Sequence, residues 1–327
     1  MALASKDWAE TIQPNETEDF EKFSTQFALL QRVLNKKFGK GRILHRKSLA
    51  HLKAKLEIFQ DIPATAKQGL FKESKSYECL VRLSNGSLEI QEDNKPDIRG
   101  FALKVLGVEG KGALGETTNC QDFLMINQVR FSSPTALPFL EVVLNAALGP
   151  KALFQFFLKK LGFFATIGKL IEMNSIFNRP FKGFAFETFN TVAPHQIGEF
   201  AGRVRLRSMQ EPSKFESKKS YGKEFWETIS KQDLTYALEI QFFINENETP
   251  IENASIEWKE SHSPFVTVGK LTIPQCTESP AEFQSEVEAM HFDPWNGLLE
   301  HKPLGNIMRA RKIFYHLSQK GRKEKAS

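Results

Sequence analysis

The sequence predicts an α+β fold: an eight-stranded antiparallel β-barrel with a helical insert and flanking helices. Apolar residues recur at a spacing of two in three early segments, with a short apolar run after them, and in four late ones. Between residues 137 and 175 the spacing changes to three and four. Closing eight half-buried strands on themselves leaves no exposed edge, which favours a barrel over an open sheet. The chain has 327 residues, enough to bury a large core. It contains no internal repeat and no interdomain linker, so residues 1–327 read as one domain.

Residues 1–17 are polar and are expected to be loose. Phe20, Phe23, Phe27, Leu30 and Leu34 then mark an amphipathic helix that stops at Gly39-Lys40-Gly41. Alternation begins with Leu52, Ala54, Leu56 and Ile58. It continues in Tyr77–Leu83 and in Phe101–Val105, and Asp122–Asn127 is a short apolar run. Turn signals separate these four strands: Asp61-Ile62-Pro63, Asn85-Gly86 and the glycine-rich stretch after Leu106. The insert at 137–175 reads as two helices divided near Gly149-Pro150. Four more strands follow, in Phe200–Leu206, Leu234–Phe242, around Ala254–Trp258, and in Val266–Ile273. Pro303 can open a last helix over 303–319, because its missing N–H would be unpaired in the first turn anyway.

Composition excludes several functions. The formal charge of +5 is modest and comes partly from the tail Lys320-Gly321-Arg322-Lys323-Glu324-Lys325, which reads as solvated, so no nucleic-acid partner is expected. Cys79, Cys120 and Cys276 form no Cys-x-x-Cys pair, which fits a reducing cytoplasm and argues against a disulfide framework. No secretion signal opens the chain. The most apolar region, Leu137–Ile171, is interrupted by prolines, lysines and Glu141 and cannot supply about 20 uninterrupted apolar residues for a transmembrane segment. The 29 Phe against 4 Tyr point instead to a large dry interior or an apolar pocket.

Most familiar motifs are absent. Gly110-Lys111-Gly112-Ala113-Leu114-Gly115 matches G-x-G-x-x-G, yet no helix opens after it, so it reads as a turn and not as a phosphate site. His45 and His51 are too far apart for one helical turn and lack neighbouring acids, which argues against zinc. What is left is a set of scattered polar residues. Arg42 to Lys47 lie where a helix hands over to the first strand; Arg82 and Ser84, two apart on a strand, share a face. Arg311 and Tyr315, four apart on a helix, share another, and a guanidinium beside a phenol favours the phenolate as an anionic ligand.

The order of these residues resembles the haem catalase family. Arg42-Ile43-Leu44-His45-Arg46-Lys47 is similar to the family's R-V-V-H-A-K, and Lys55-Leu56-Glu57-Ile58 to the strand that follows it. Val81-Arg82-Leu83-Ser84-Asn85 resembles V-R-F-S-T. Asp97 to Lys104 resembles D-P-R-G-F-A-V-K, and Arg311-Lys312-Ile313-Phe314-Tyr315 resembles the closing R-x-F-x-Y. The resemblance implies a b-type haem with Tyr315 as its iron ligand and Arg311 donating to the phenolate. It implies His45 as distal acid and base, Ser84 as the residue that orients it, and Asn119 as its assistant. Arg42, Arg82 and Arg322 would pair with the propionates and Phe131 would pack on the haem.

Two departures stand out. The family's G-N-N-T-P is replaced by Thr117-Thr118-Asn119-Cys120-Gln121, in which Asn119 falls on the second Asn. The chain also ends soon after Tyr315. The implied activity is a peroxidase or small catalase that reduces hydrogen peroxide or organic hydroperoxides, lipid hydroperoxides among them, through a ferryl intermediate. A fatty-acid hydroperoxide isomerase resembling the coral allene oxide synthases is an alternative. In those enzymes a Thr precedes the distal His, where this chain has Leu44. A non-catalytic haem- or lipid-binding barrel is the other alternative, and a homo-oligomer is compatible with the sequence.

Overall fold

The computed structural model describes residues 4–211 and 220–323; the last residues of the basic tail, Glu324 and Lys325 among them, lie outside the described residues. Helix α1 (Glu16–Phe38) leads into strands β1 (Ser48–Ile58), β2 (Ser76–Asn85), β3 (Arg99–Lys111) and β4 (Thr117–Ile126). Helices α2 (Ala136–Ala147), α3 (Pro150–Leu161) and α4 (Phe163–Phe177) form the insert. Strands β5 (Thr188–Asn190), β6 (His195–Ile197) and β7 (Phe200–Ser208) follow, then α5 (Tyr221–Ile229), β8 (Leu234–Phe242), β9 (Phe265–Ile273), α6 (Ala281–Ala289) and α7 (Asn306–Lys323).

All pairings are antiparallel, in the order β5-β4-β3-β2-β1-β9-β8-β7-β6. Strand β5 closes the barrel. It pairs through Asn190 with Ile126 of β4 and through Thr188–Asn190 with β7. Eight strands thus form the ring, and β6 lies outside it as an extension beside β7. The eighth strand is not the segment around 254–258. There Ala254 and Trp258 are buried while Ile256, of the same parity, is exposed, so the alternation does not follow one face. Its backbone is engaged elsewhere: Ala254 N–H donates to Pro134 O, and Arg203 donates to Ile256 O.

The interior is dry. Leu52, Leu56, Val81, Leu83, Phe101, Leu103, Phe123, Leu238, Ile240 and Leu271 all belong to one buried cluster. Phe101 stacks edgewise on Tyr236 at 5.4 Å and tilts against Phe189 at 5.3 Å. Tyr236 satisfies its one polar atom by donating to Phe184 O at 2.8 Å, as a buried hydroxyl must. Nine of the 29 phenylalanines belong to this buried cluster, so part of the phenylalanine excess fills the barrel.

The helices differ from expectation at three points. The insert has three helices because Gly162, at φ +77°, breaks it a second time. The last helix starts at Asn306, three residues after Pro303, because Leu304 N–H bonds Pro194 O and Gly305 takes a left-handed φ of +86°. The segment before α1 is irregular but tied down: Ser5 N–H donates to Phe243 O, Trp8 to Glu199 O, and Glu10 bonds Arg309 and Lys302. The glycine-rich stretch closes the β3–β4 hairpin, with Gly112 N–H on Glu116 O.

Helix α7 packs on α1, with Phe27 and Phe314 rings 4.8 Å apart. It also rests on residues 293–295, where Trp295 Nε1 donates to Met308 O at 2.7 Å. A polar layer is enclosed between these elements and the outer wall formed by β2, β3 and β4.

Candidate active site on the outer wall of the barrel

His45 sits in the link between α1 and β1 with φ +53°, a left-handed conformation that costs a residue with a Cβ about 1–2 kcal/mol. Both of its backbone groups are held there. Its N–H donates to Gly86 O at 3.1 Å, and its C=O accepts from Arg82 Nη2 at 2.9 Å. The ring is fixed as well: Nδ1 lies 3.0 Å from Ser84 Oγ on β2. Gly100 of β3 supplies the space, since a Cβ there would stand 2.5 Å from His45 Nδ1 and 2.8 Å from Ser84 Oγ. Nε2 makes no hydrogen bond among the described residues.

Burial pushes the His45 imidazole down to about 3, and the charges of Arg82, Arg311 and Arg42 add to the effect. At neutral pH it is an uncharged base. The Arg311 contribution places His45 in electrostatic reach of α7, where Arg311 Nη2 donates to Tyr315 Oη at 2.8 Å and Nη1 approaches Met308 Sδ at 3.6 Å.

Arg42, Arg82 and Arg322 converge beside these groups on Glu288 at the end of α6. Arg42 pairs with Glu288 Oε1, Arg82 Nε donates to Oε2 at 2.8 Å, and His51 Nε2 lies 3.0 Å from Oε2. Arg322 Nη1 reaches the Glu288 carbonyl at 3.2 Å, while its buried Nε has no partner among the described residues. Burial alone would raise the Glu288 carboxyl, yet His51, Arg82 and Arg42 hold it well below the usual carboxylate range. Burial, with Arg82 and Arg322 nearby, lowers Arg42 to about 9, still charged at neutral pH. Among the described residues, three guanidiniums against one carboxylate leave two positive charges uncompensated.

Phe131 is brought to the same layer. It packs on Phe139 at 4.7 Å, in the cluster that also holds Ile43, Leu44, Ile307 and Phe314. Asn119 is not brought there. It is exposed, seven residues along β4 from Ile126, the partner of Gly100, or roughly 23 Å at the rise of a strand. The polar groups that the outer face of β3 and β4 does carry are Lys104 and Asp122, buried and paired at 2.7 Å. Burial raises Asp122 to about 6 against the pull of Lys104. The β3–β4 register, not sequence proximity to a motif, decides which side chain faces His45.

Sequence reasoning missed three residues. Glu288 and His51 close the arginine cluster, but their partners lie more than 200 residues apart in the chain. His195 is fully buried with neither ring nitrogen bonded, and burial together with His301 and Arg311 lowers it to about 3. Its ring stands edgewise to that of Phe123 at 5.9 Å. Among the described residues, no group of three or more His, Cys, Asp or Glu is placed to hold a metal ion.

No protein-family model and no curated protein matches the sequence. Solved structures do match. A fungal catalase aligns over 98% of this chain and 65% of its own, with 17% identity and a TM-score of 0.66. A bacterial catalase aligns over 98% and 63%, with 14% identity and the same TM-score.

The chain has a catalase fold. It spans less than two thirds of the length of these two catalases. A catalase fold accounts for the closed barrel and for a layer of helices outside it, and leaves chemistry to be argued from the side chains.

Proposed function

We propose that this chain binds a b-type haem in the layer between His45 and Tyr315 and uses it to reduce hydrogen peroxide or an organic hydroperoxide. The observation that carries the proposal is the convergence of a neutral, Ser84-held His45 and the Arg311–Tyr315 pair on one layer beside three arginines. The residues present fit the group. Haem carries two carboxylates, matching the two charges of Arg42, Arg82 and Arg322 that are uncompensated among the described residues, where Arg322 Nε is also a buried donor without a partner. Tyr315 would be the iron ligand, and Phe131 would supply an apolar wall.

When bound, the haem iron supplies the redox equivalents of the reaction. Arg311 donates to the Tyr315 oxygen and so holds it in place. His45, neutral at pH 7, accepts the proton of an incoming peroxide O–H at Nε2 and delivers it to the departing oxygen, serving as base and then as acid. Ser84 and the absence of a Cβ at Gly100 keep the ring in place for both steps. Asn119 takes no part in this scheme, and Leu44 packs apolar beside His45 without a hydroxyl to restrain it.

Haem-loaded protein is expected to release oxygen from hydrogen peroxide or to oxidise an organic donor. His45→Ala should suppress either activity by about 10²–10⁴-fold, the usual contribution of a positioned general acid–base group. With a fatty-acid hydroperoxide the product should be the reduced alcohol. An allene oxide would transfer the assignment to the isomerase, and haem binding without turnover would reduce the chain to a carrier.

A further inference from the structure

The surface of the insert is unlike the rest of the molecule. Seventeen large apolar side chains are exposed among the described residues, and eight of them fall within 148–177, so the exposure is concentrated and not scattered. On α4 the stripe Phe164, Ile167 and Ile171 recurs at helical spacing, yet it faces solvent: Phe164 is 88% exposed and Ile171 65%. Thr166 is the one buried residue of α4. The corner between α3 and α4 is a single residue, Gly162, and Leu161, Phe163 and the edge-on Phe164 project around it.

Charge accompanies the stripe. From Leu148 to Ile171 there are four lysines, Lys151, Lys159, Lys160 and Lys169, and no acidic residue. Glu141 and Glu172 outside that stretch pair with Lys160 and Lys169, which leaves Lys151 and Lys159 exposed with no acidic partner among the described residues. A two-fold contact between copies of this chain would set like charges against each other. A bilayer with anionic headgroups would not: it accepts an apolar helix face at the acyl boundary and basic side chains at the phosphates. No helix of the described residues is long and apolar enough to cross a membrane, so the contact would lie in the plane of the surface.

We propose that the α3–α4 corner is a docking surface for an anionic lipid bilayer, with Phe163, Phe164, Ile167 and Ile171 entering the interface and Lys151 and Lys159 meeting lipid phosphates. The proposal rests on the insert alone and stands whether or not the outer-wall site holds haem.

The test is flotation of the full chain with vesicles of phosphatidylcholine alone and of phosphatidylcholine with phosphatidylserine. Binding to the anionic vesicles should exceed binding to the neutral ones by about tenfold and should fall as salt is raised. A Phe163→Ser/Phe164→Ser variant should lose about tenfold or more, with unfolding midpoint unchanged because both rings are exposed in solution. Lys151→Glu/Lys159→Glu should remove the preference for anionic vesicles. Equal binding to both vesicle types, no binding to either, or binding indifferent to both variants would overturn the proposal. So would concentration-dependent dimerisation, without vesicle binding, that the double serine variant abolishes; the occupant would then be a second copy.

Discussion

The inside of the barrel and its outer wall share the same strands, and they are built on opposite rules. Along β2 and β3 the inward residues, Val81, Leu83, Phe101 and Leu103, meet only other apolar groups. On the outward face Arg82, Ser84, Gly100 and Lys104 are buried as well, yet each is polar or makes room for a polar neighbour. Burial is thus common to both faces, and what differs is whether helices or strands complete the enclosure. Within the closed ring Tyr236 satisfies its hydroxyl locally on Phe184 O. The wall beneath α6 and α7 collects charges whose partners come from distant segments. A site can be placed there because rigid strands fix one half of it and helices bring the other.

The contrast can be broken most strongly from the inside. Phe123 is fully buried, so Phe123→Ala should cost about 3–5 kcal/mol in denaturant unfolding, through lost transfer energy and the cavity left behind. That loss should be the same with and without haemin. On the wall, Glu288→Gln removes the one carboxylate among three guanidiniums. Breaking a buried pair from one side is costly, and partial exposure of Glu288 trims the figure to about 2–3 kcal/mol. Here haemin should matter: its carboxylates would replace the missing charge and return part of the stability. A loss that haemin leaves untouched would mean that the arginines serve Glu288 alone.

Acid should weaken the fold through its buried histidines and strengthen it through its buried carboxyls. His45, His195 and His301 are lowered to about 3, 3 and 4, chiefly by burial, so the folded protein keeps them neutral where the unfolded chain, with a pKa near 6.5, takes up protons. Their contribution is complete above about pH 6.5 and is lost as pH falls from there toward 4. Each histidine adds at most about 1.4 kcal/mol per pH unit. Asp122 and Glu224, raised by burial to about 6 and about 7, gain stability over the same range and offset part of this loss. Unfolding midpoints measured from pH 7 to 4.5 should still decline, because three rings outweigh two carboxyls, and a rising profile would show that these rings are solvated.

How much of this was legible in the sequence follows the same division. The alternation of β1, β2, β3, β7, β8 and β9 marks the inner face, because a closed apolar interior imposes a period of two on every long strand. Three-residue β5 carries too few positions for a period, and its place in the ring is set by pairing with β4 and β7. On the outer wall, His45 and Ser84 could be matched from two short segments, as could Arg42, Arg82, Arg311, Tyr315 and Arg322. Glu288 could not, since a single carboxylate on a short helix is ordinary until its partners arrive in space. The place of Asn119 could not be read from its motif, because the β3–β4 pairing carries the residue past Gly100 and out to solvent.

The central claim is that Tyr315, held by Arg311, is the ligand of a haem bound outside the barrel. It is tested most directly by the absorption spectrum of the purified chain loaded with haemin, compared with that of Tyr315→Phe. A ferric high-spin tyrosinate spectrum in the parent that disappears in the variant is the predicted result. The same spectrum in both proteins, or no haem uptake by either, would contradict it.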